Sequence, residues 1–434
     1  MIRPVLIVNA RLLDPASGLD AKGGLLAVGG RIAEVGPAVT AAMAPGGAEV
    51  IDAKGLCLAP GLVDMRVQLG EPGAEHKERI DSGALAAAAG GVTSMAVLPN
   101  TDPPIDDPAM VEFVARRARQ VKLGKVYPYA AITKRIEGEE LAEIGLLKAA
   151  GAVAFTDGER ALANARVMRR ALAYAACFDA LIVQHPEEPT LAEHGVMNEG
   201  PLASRLGLAG ISPAAEAIMV ERDLRLLELS DSARLHFAHV STREAIQAIR
   251  AAKARGLRVT CDTAPHYLAL NELEVEGYRT FAKVSPPLRS EDDRRAVVEG
   301  LKDGTIDAIA SDHCPQDQDS KRLPFAQAAF GVIGVQTMLP VCLRLFHEGE
   351  LGLLPLLRTM TEAPARILGL EAGRLQKGAP ADLVLFDPEA PWKITEASLK
   401  SLSKNTAFEG RLVEGRVVRT LVDGRTVFHD EAVA

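Results

Sequence analysis

The sequence has 434 residues, 48% of them hydrophobic, with 49 basic against 57 acidic side chains and a net charge of −8. A chain of this length can bury a large core and is expected to form one big domain with an accessory one. An acidic balance without long basic runs argues against nucleic acid or an anionic membrane surface as a partner. No apolar stretch reaches the roughly 18–20 residues needed to cross a bilayer.

Residues 1–10 read as a strand and not as a leader peptide, since they lack a long apolar region and a cleavage site. Residues 5–14 and 24–36 are apolar or alternating runs set off by glycine-bearing turns, as in hairpins. From residue 60 the pattern changes. Short apolar strands at 61–65, 92–98, 126–132, 152–155, 181–183, 235–238, 258–261 and 308–311 alternate with amphipathic segments such as 163–176 and 243–255. Eight strand–helix units over roughly 300 residues are what a (β/α)8 barrel requires, and residues 60–364 are assigned to one. Residues 381–387 and 415–428 are strand-like again. Neither end has enough sequence for a sizeable core of its own. Pairing 1–59 with 365–434 in a composite β-sandwich would bury both. Cys57, Cys177, Cys261, Cys314 and Cys342 make no CxxC pair and read as reduced, mostly buried thiols of a cytoplasmic protein.

Active residues of such barrels lie at the C-terminal ends of the strands. The first strand ends Asp64-Met65-Arg66-Val67-Gln68-Leu69-Gly70-Glu71-Pro72-Gly73. The second ends Pro99-Asn100-Thr101, the fourth Thr156-Asp157-Gly158, the fifth His185-Pro186-Glu187 and the sixth His239-Val240-Ser241-Thr242. The seventh leads into Pro265-His266-Tyr267, and a later loop holds Ser285-Pro286-Pro287-Leu288-Arg289. The eighth ends Ser311-Asp312-His313-Cys314-Pro315-Gln316. Each piece also has a bland reading. A lone His at a strand end is more often a hydrogen-bonded structural residue than a ligand. Asp157-Gly158 alone is a turn, and Asp312 alone is an N-cap or an ion-pair partner. Their order along one barrel is what argues for a site. His194, His236 and His266 fit structural or substrate-loop roles, and His76 and His347 carry no signal.

Taken together, these segments resemble the dihydroorotase family of the amidohydrolase superfamily, of the multifunctional-complex type. Its first strand reads Asp-x-His-x-His-Leu-Arg-Glu/Asp-Pro-Gly. The resemblance covers essentially the whole chain and implies an amidohydrolase-type (β/α)8 TIM barrel with a composite β-sandwich from the N- and C-termini. It implies metal ligands at Asp157, His185, His239 and Asp312, with Asp312 also the general base toward a metal-bound water. It implies substrate contacts at Asn100 and His266. Two ligand positions are lost, because Arg66 and Gln68 stand where the family has its histidine pair. An Arg has no lone pair and is always cationic, while a Gln carbonyl is a weak neutral ligand. Substrate anchors are lost as well. Gly70 replaces the carboxylate-binding Arg, Ser285 the Asn before Pro-Pro-Leu-Arg, and Gln316 the His closing the strand-eight motif.

No binuclear centre is therefore expected. At most one weakly held zinc would touch His185 and His239, with none as the main expectation. Arg66 should fill the vacated space and pair with Asp157 or Asp312, because a buried guanidinium needs a carboxylate. The main functional reading is a non-catalytic member of the family. It resembles the dihydroorotase-like chain that accompanies some bacterial aspartate transcarbamoylases, working in a homo- or hetero-oligomer in the cytoplasm. Two readings stay open beside it. One is an active dihydroorotase using a single zinc on His185 and His239 with Asp157 or Asp312. The other is a retuned amidohydrolase in which Arg66 binds an anionic substrate.

Overall fold

A computed structural model describes residues 2–230 and 232–430; Met1 and residues 431–434, the tips of the two expected terminal segments, lie outside the described residues. The chain opens with β1 (Val5–Asp14), β2 (Leu19–Val28) and β3 (Arg31–Gly36), an antiparallel meander. The run expected over 24–36 is thus two strands. Gly29 and Gly30, at φ +62° and +83°, make a tight turn whose two left-handed positions favour glycine. β4 (Glu49–Asp52) and β5 (Cys57–Pro60) then return parallel to opposite ends of β1.

The barrel follows. β6 (Leu62–Val67), β7 (Val92–Val97) and β8 (Lys125–Pro128) form one parallel sheet. β9 (Leu181–Gln184) begins a second sheet. After a short parallel pair, β10 (Met197–Asn198) and β11 (Gly210–Ile211), that sheet continues through β12 (Arg234–Phe237), β13 (Val259–Thr263) and β14 (Ala308–Ile309). The strand expected at 152–155 bridges the gap between the two sheets, with Phe155 paired to Ala130 on one side and to Ile182 on the other. A bridge from Val67 to His313 closes the ring. Backbone hydrogen bonds tie the 152–155 segment to both neighbours, from Val153 N to the Pro128 carbonyl and from Ala130 N to the Ala154 carbonyl on one side, and from Phe155 N to the Leu181 carbonyl on the other. Just beyond, the Asp157 side chain accepts the N–H groups of Ile132 and Thr133. Helices Ala165–Ala176 and Arg243–Ala254 pack outside, started by side-chain caps from Asn164 and Thr242.

The last strands, β15 (Leu383–Lys393), β16 (Leu412–Val422) and β17 (Arg425–His429), are antiparallel. β15 pairs with β5, which joins the two ends of the chain in one continuous eight-stranded sheet. The accessory domain is therefore composite, but its two halves are hydrogen-bonded edge to edge within that sheet. Alternation fixes it to the barrel. Leu383 and Leu385 enter a core with Val5, Ile7, Leu12, Leu58 and Leu421. Val384 and Phe386, pointing the other way, join the main barrel core. Among the described residues no helix is long and apolar enough to cross a membrane.

Candidate active site

The strand ends converge on one buried carboxylate. Asp312 follows β14 with a left-handed backbone, φ +51°, and His239 follows β12 at φ +41°, conformations that cost non-glycine residues about 1–3 kcal/mol each. The Arg66 side chain, 2% exposed, lays its Nε 2.8 Å from Asp312 Oδ1. The other oxygen, Oδ2, lies 3.2 Å from His239 Nδ1 and 3.9 Å from His266 Nε2. On its far side His239 Nε2 is 2.7 Å from His185 Nδ1. His185 Nε2 in turn is 3.8 Å from Glu187 Oε2. These groups form a polar chain running Glu187, His185, His239, Asp312, Arg66.

The charges follow from this packing. Burial pushes His239 down to about 4, with the Arg66 cation acting in the same direction, and burial alone brings His266 to about 4. Both imidazoles are neutral at pH 7. Burial opposes ionisation of Asp312, but His239 and the Arg66 charge outweigh it and hold the carboxyl well below the usual range. Arg66 is thus the full cation facing Asp312. Its two amino nitrogens, together with His239 Nδ1, His266 Nε2 and Glu187 Oε1, are buried without a protein hydrogen-bond partner.

Around this chain lies a second polar series absent from the sequence reading. Asn100 Nδ2 donates to Gln68 Oε1 at 3.2 Å, and Gln68 Nε2 donates to Glu159 Oε1 at 2.7 Å. The Cys314 thiol donates to the same Glu159 oxygen at 3.5 Å and receives Gln316 Nε2 at 3.5 Å. Glu159 has no motif of its own; its one signal is its place two residues after Asp157. Ser285 Oγ donates to Glu187 Oε2 at 3.3 Å, in the loop that reaches back over strand five.

The structure thus brings Arg66, His185, His239, His266 and Asp312 together, and it pairs Arg66 with Asp312, one of the two partners expected. Asp157 is not part of the cluster. Its Oδ1 accepts the N–H groups of Ile132 and Thr133 at 2.9 and 3.0 Å, and its Oδ2 accepts the Thr133 hydroxyl at 2.6 Å. Its role here is to fix the end of strand three. Gly70 has no room for a side chain, since a Cβ would stand 2.1 Å from the Ala74 carbonyl oxygen. His236 bonds to Asp262 and Thr260, a structural role as expected.

These residues do not fit the zinc pair that an amidohydrolase site would hold. A catalytic zinc takes three protein ligands and leaves a position open. Here the strand-one positions are Arg66 and Gln68, and both Asp312 oxygens already face other groups. One nitrogen of the His185–His239 contact must carry a proton and so offers no lone pair. Among the described residues no group of three or more His, Cys, Asp or Glu is arranged to hold a metal ion.

Comparison with known proteins agrees with this architecture. A dihydro-orotase-like family model matches residues 55–245 and an amidohydrolase family model matches residues 295–428. A dihydroorotase of Syntrophotalea carbinolica is 48% identical over 424 residues, covering 98% of this chain and 99% of its own. One of Anaplasma phagocytophilum is 44% identical over 432 residues, covering 98% and 96%. Among solved structures, an L-hydantoinase (dihydropyrimidinase) from Arthrobacter aurescens superposes with a TM-score of 0.86 at 26% identity, covering 99% of this chain and 96% of that one. The chain belongs to the dihydroorotase family of the amidohydrolase superfamily.

Proposed function

We propose that this chain serves pyrimidine biosynthesis as a dihydroorotase-family protein that does not catalyse, and that it acts as an assembly partner of aspartate transcarbamoylase. The observation carrying this reading is the buried Arg66–Asp312 pair, with Nε and Oδ1 2.8 Å apart. The carboxylate that would activate a metal-bound water is paired with a buried side-chain cation. The substrate-side anchors are altered in the same site, at Gly70, Ser285 and Gln316. With an intact barrel and no working centre, the useful product of the chain is a surface. A stable complex should bury at least about 1,000 Å², with an apolar centre.

A second reading has a specific observation in its favour. Relatives 44–48% identical over nearly their whole length are named dihydroorotase. On that reading the chain interconverts carbamoyl aspartate and dihydroorotate with a single zinc touching His185 and His239. One set of measurements separates the two. The non-catalytic reading expects purified protein without stoichiometric zinc, no dihydroorotase turnover, and co-purification with aspartate transcarbamoylase. Deleting the chain should then lower transcarbamoylase assembly and leave cellular dihydroorotase activity to another protein. Loss of cellular dihydroorotase activity with an untouched transcarbamoylase would instead establish the enzyme.

A further inference from the structure

The sheet and the barrel do not close on each other everywhere. At the N-terminal face of the barrel, opposite the strand ends that carry Arg66, lies a cleft of about 860 Å³. It separates the end of helix Pro108–Val121 and the start of β8 from the Gly29–Gly30 turn and the turn into β17. That volume, and a place between two domains, are what small-molecule sites favour. Its charges run against the rest of the molecule. In a chain of net charge −8, the cations Arg31, Arg119, Lys122, Lys125 and Arg425 line it, against the carboxylates Glu371 and Asp423. Both carboxylates are already taken. Arg31 Nη1 is 2.7 Å from Glu371 Oε1, and Lys125 Nζ lies 2.9 Å from Asp423 Oδ1 and 2.7 Å from the buried Asp382. Arg119 pairs with Glu112, outside the cleft. Lys122 and Arg425 are exposed, and among the described residues their side chains have no ion pair or hydrogen bond. The last carbonyls of the helix add a negative dipole of roughly half a charge, which Arg119 and Lys122 together outweigh.

We propose that this cleft binds a polyphosphate carried on a flat organic body, of the nucleoside triphosphate class. The phosphate end follows from the two walls. Arg119 and Lys122 stand exposed on the barrel side and Arg425 on the sheet side, so one ligand with several negative charges meets cations of both domains at once. The flat body follows from the apolar part of the lining, where the half-buried Tyr127 ring lies with Pro128 and Pro380. An aromatic face stacks any base, since every base has a π-face. Lys125 already joins β8 to Asp382 and Asp423 across this junction. A bound polyphosphate adds a second bridge of the opposite sign, from Arg119 and Lys122 to Arg425, and so tightens the barrel against the sheet. The proposal does not depend on whether the barrel mouth catalyses.

The test is calorimetric titration of the full chain with magnesium-free ATP at low salt, with thermal unfolding as a second readout. Wild type should bind one ATP per chain saturably, with an affinity that falls as salt is added. Its Tm should rise with ATP concentration. Lys122→Glu/Arg425→Glu should weaken binding at least about tenfold and remove the Tm shift. Arg169→Glu/Arg170→Glu, the same change of charge on the exposed face of helix Ala165–Ala176, should leave both as in wild type. If the double reversal folds poorly, the milder Lys122→Gln/Arg425→Gln should still weaken binding several-fold. Inorganic triphosphate should bind at least about tenfold more weakly than ATP, because it offers nothing to the Tyr127 ring. Absence of saturable ATP binding, an equal loss in the Arg169/Arg170 control, or triphosphate binding as tightly as ATP overturns the proposal.

Discussion

Replacing Asp312 by Asn isolates the energetics of the central pair. The side chain keeps its shape and still offers an oxygen to Arg66 Nε, but the guanidinium, 2% exposed, loses its direct countercharge. Breaking a buried ion pair from one side costs about 3–5 kcal/mol. The lower end applies here, because Glu159 and Asp262 also act on the Arg66 charge and remain in the variant. About 3 kcal/mol of lost stability is therefore expected for Asp312→Asn. Arg66→Met alone should cost a similar amount, since it leaves Asp312 ionised with neutral imidazoles as neighbours. Removing both charges leaves no unpaired ion, and such double replacements are often neutral. Arg66→Met/Asp312→Asn should accordingly lie within about 1–2 kcal/mol of wild type, a coupling of roughly 4 kcal/mol. Equilibrium urea denaturation measures all four corners. Additive losses, with the double mutant about 6 kcal/mol below wild type, would show that the two charges do not depend on each other and would refute the reasoning.

Three further outcomes are expected. Arg66→His/Gln68→His with added zinc should show no dihydroorotase turnover near the ordinary enzymatic scale of about 1 s⁻¹, because Gly70 and Ser285 leave a substrate carboxylate without its anchors; a steady-state assay reaching that rate would contradict this. Gly70→Arg should not recover the anchor and should lower stability by about 2 kcal/mol or more in urea, since its Cβ would meet the Ala74 oxygen at 2.1 Å. Lys321, 2% exposed and bonded to the Ala329 carbonyl, is pushed down by burial to about 8 from 10.5. Below pH 8 both folded and unfolded chains carry the proton and the cost of the buried charge is full. Between pH 8 and 10.5 only the unfolded chain does, so wild type should gain on Lys321→Met as pH rises, by up to about 3 kcal/mol. Denaturation midpoints of both proteins across that window, if they stay parallel, would exclude it.

Much of the fold could be read from the sequence because its periods are clean. Residues 5–14 alternate or run apolar and form β1, and the apolar run at 181–183 gives β9 with one residue added. The run at 152–155 was legible too, since its backbone bonds to Pro128, Ala130 and Leu181. Side-chain competition was not: hydrophobic pattern does not show that Asp157 accepts the N–H groups of Ile132 and Thr133 and the Thr133 hydroxyl. Motif order identified Arg66, His185, His239, His266 and Asp312 as one group, and charge alone required a carboxylate beside Arg66. It could not choose between Asp157 and Asp312, because the choice depends on which carboxylate already has its lone pairs occupied. Glu159 escaped notice because it carries no spacing signal, and Cys314, read only as a buried thiol, gained its partners from the folded strand ends, which bring the two to Gln68 and Gln316.

The state of Gly70 bears on whether this site stands near to a catalytic one or far from it. A lost ligand such as Gln68 can be restored by one substitution, because its backbone still ends strand one. Gly70 cannot, since its carbonyl accepts the Ala74 N–H at 2.5 Å and the Ala74 and Glu78 carbonyl oxygens stand 2.1 and 2.9 Å from where a Cβ would be. The turn after strand one has closed over the position from which an arginine would reach a substrate. Beneath it Glu78 is buried and bonded to Ser82, Ser401 and the Leu402 N–H, which ties the same segment to the C-terminal part of the chain. Regaining the anchor would mean moving that backbone and breaking those bonds together, a cost far above that of any single side chain. The turn at Gly70 is thus held in place by the fold around it.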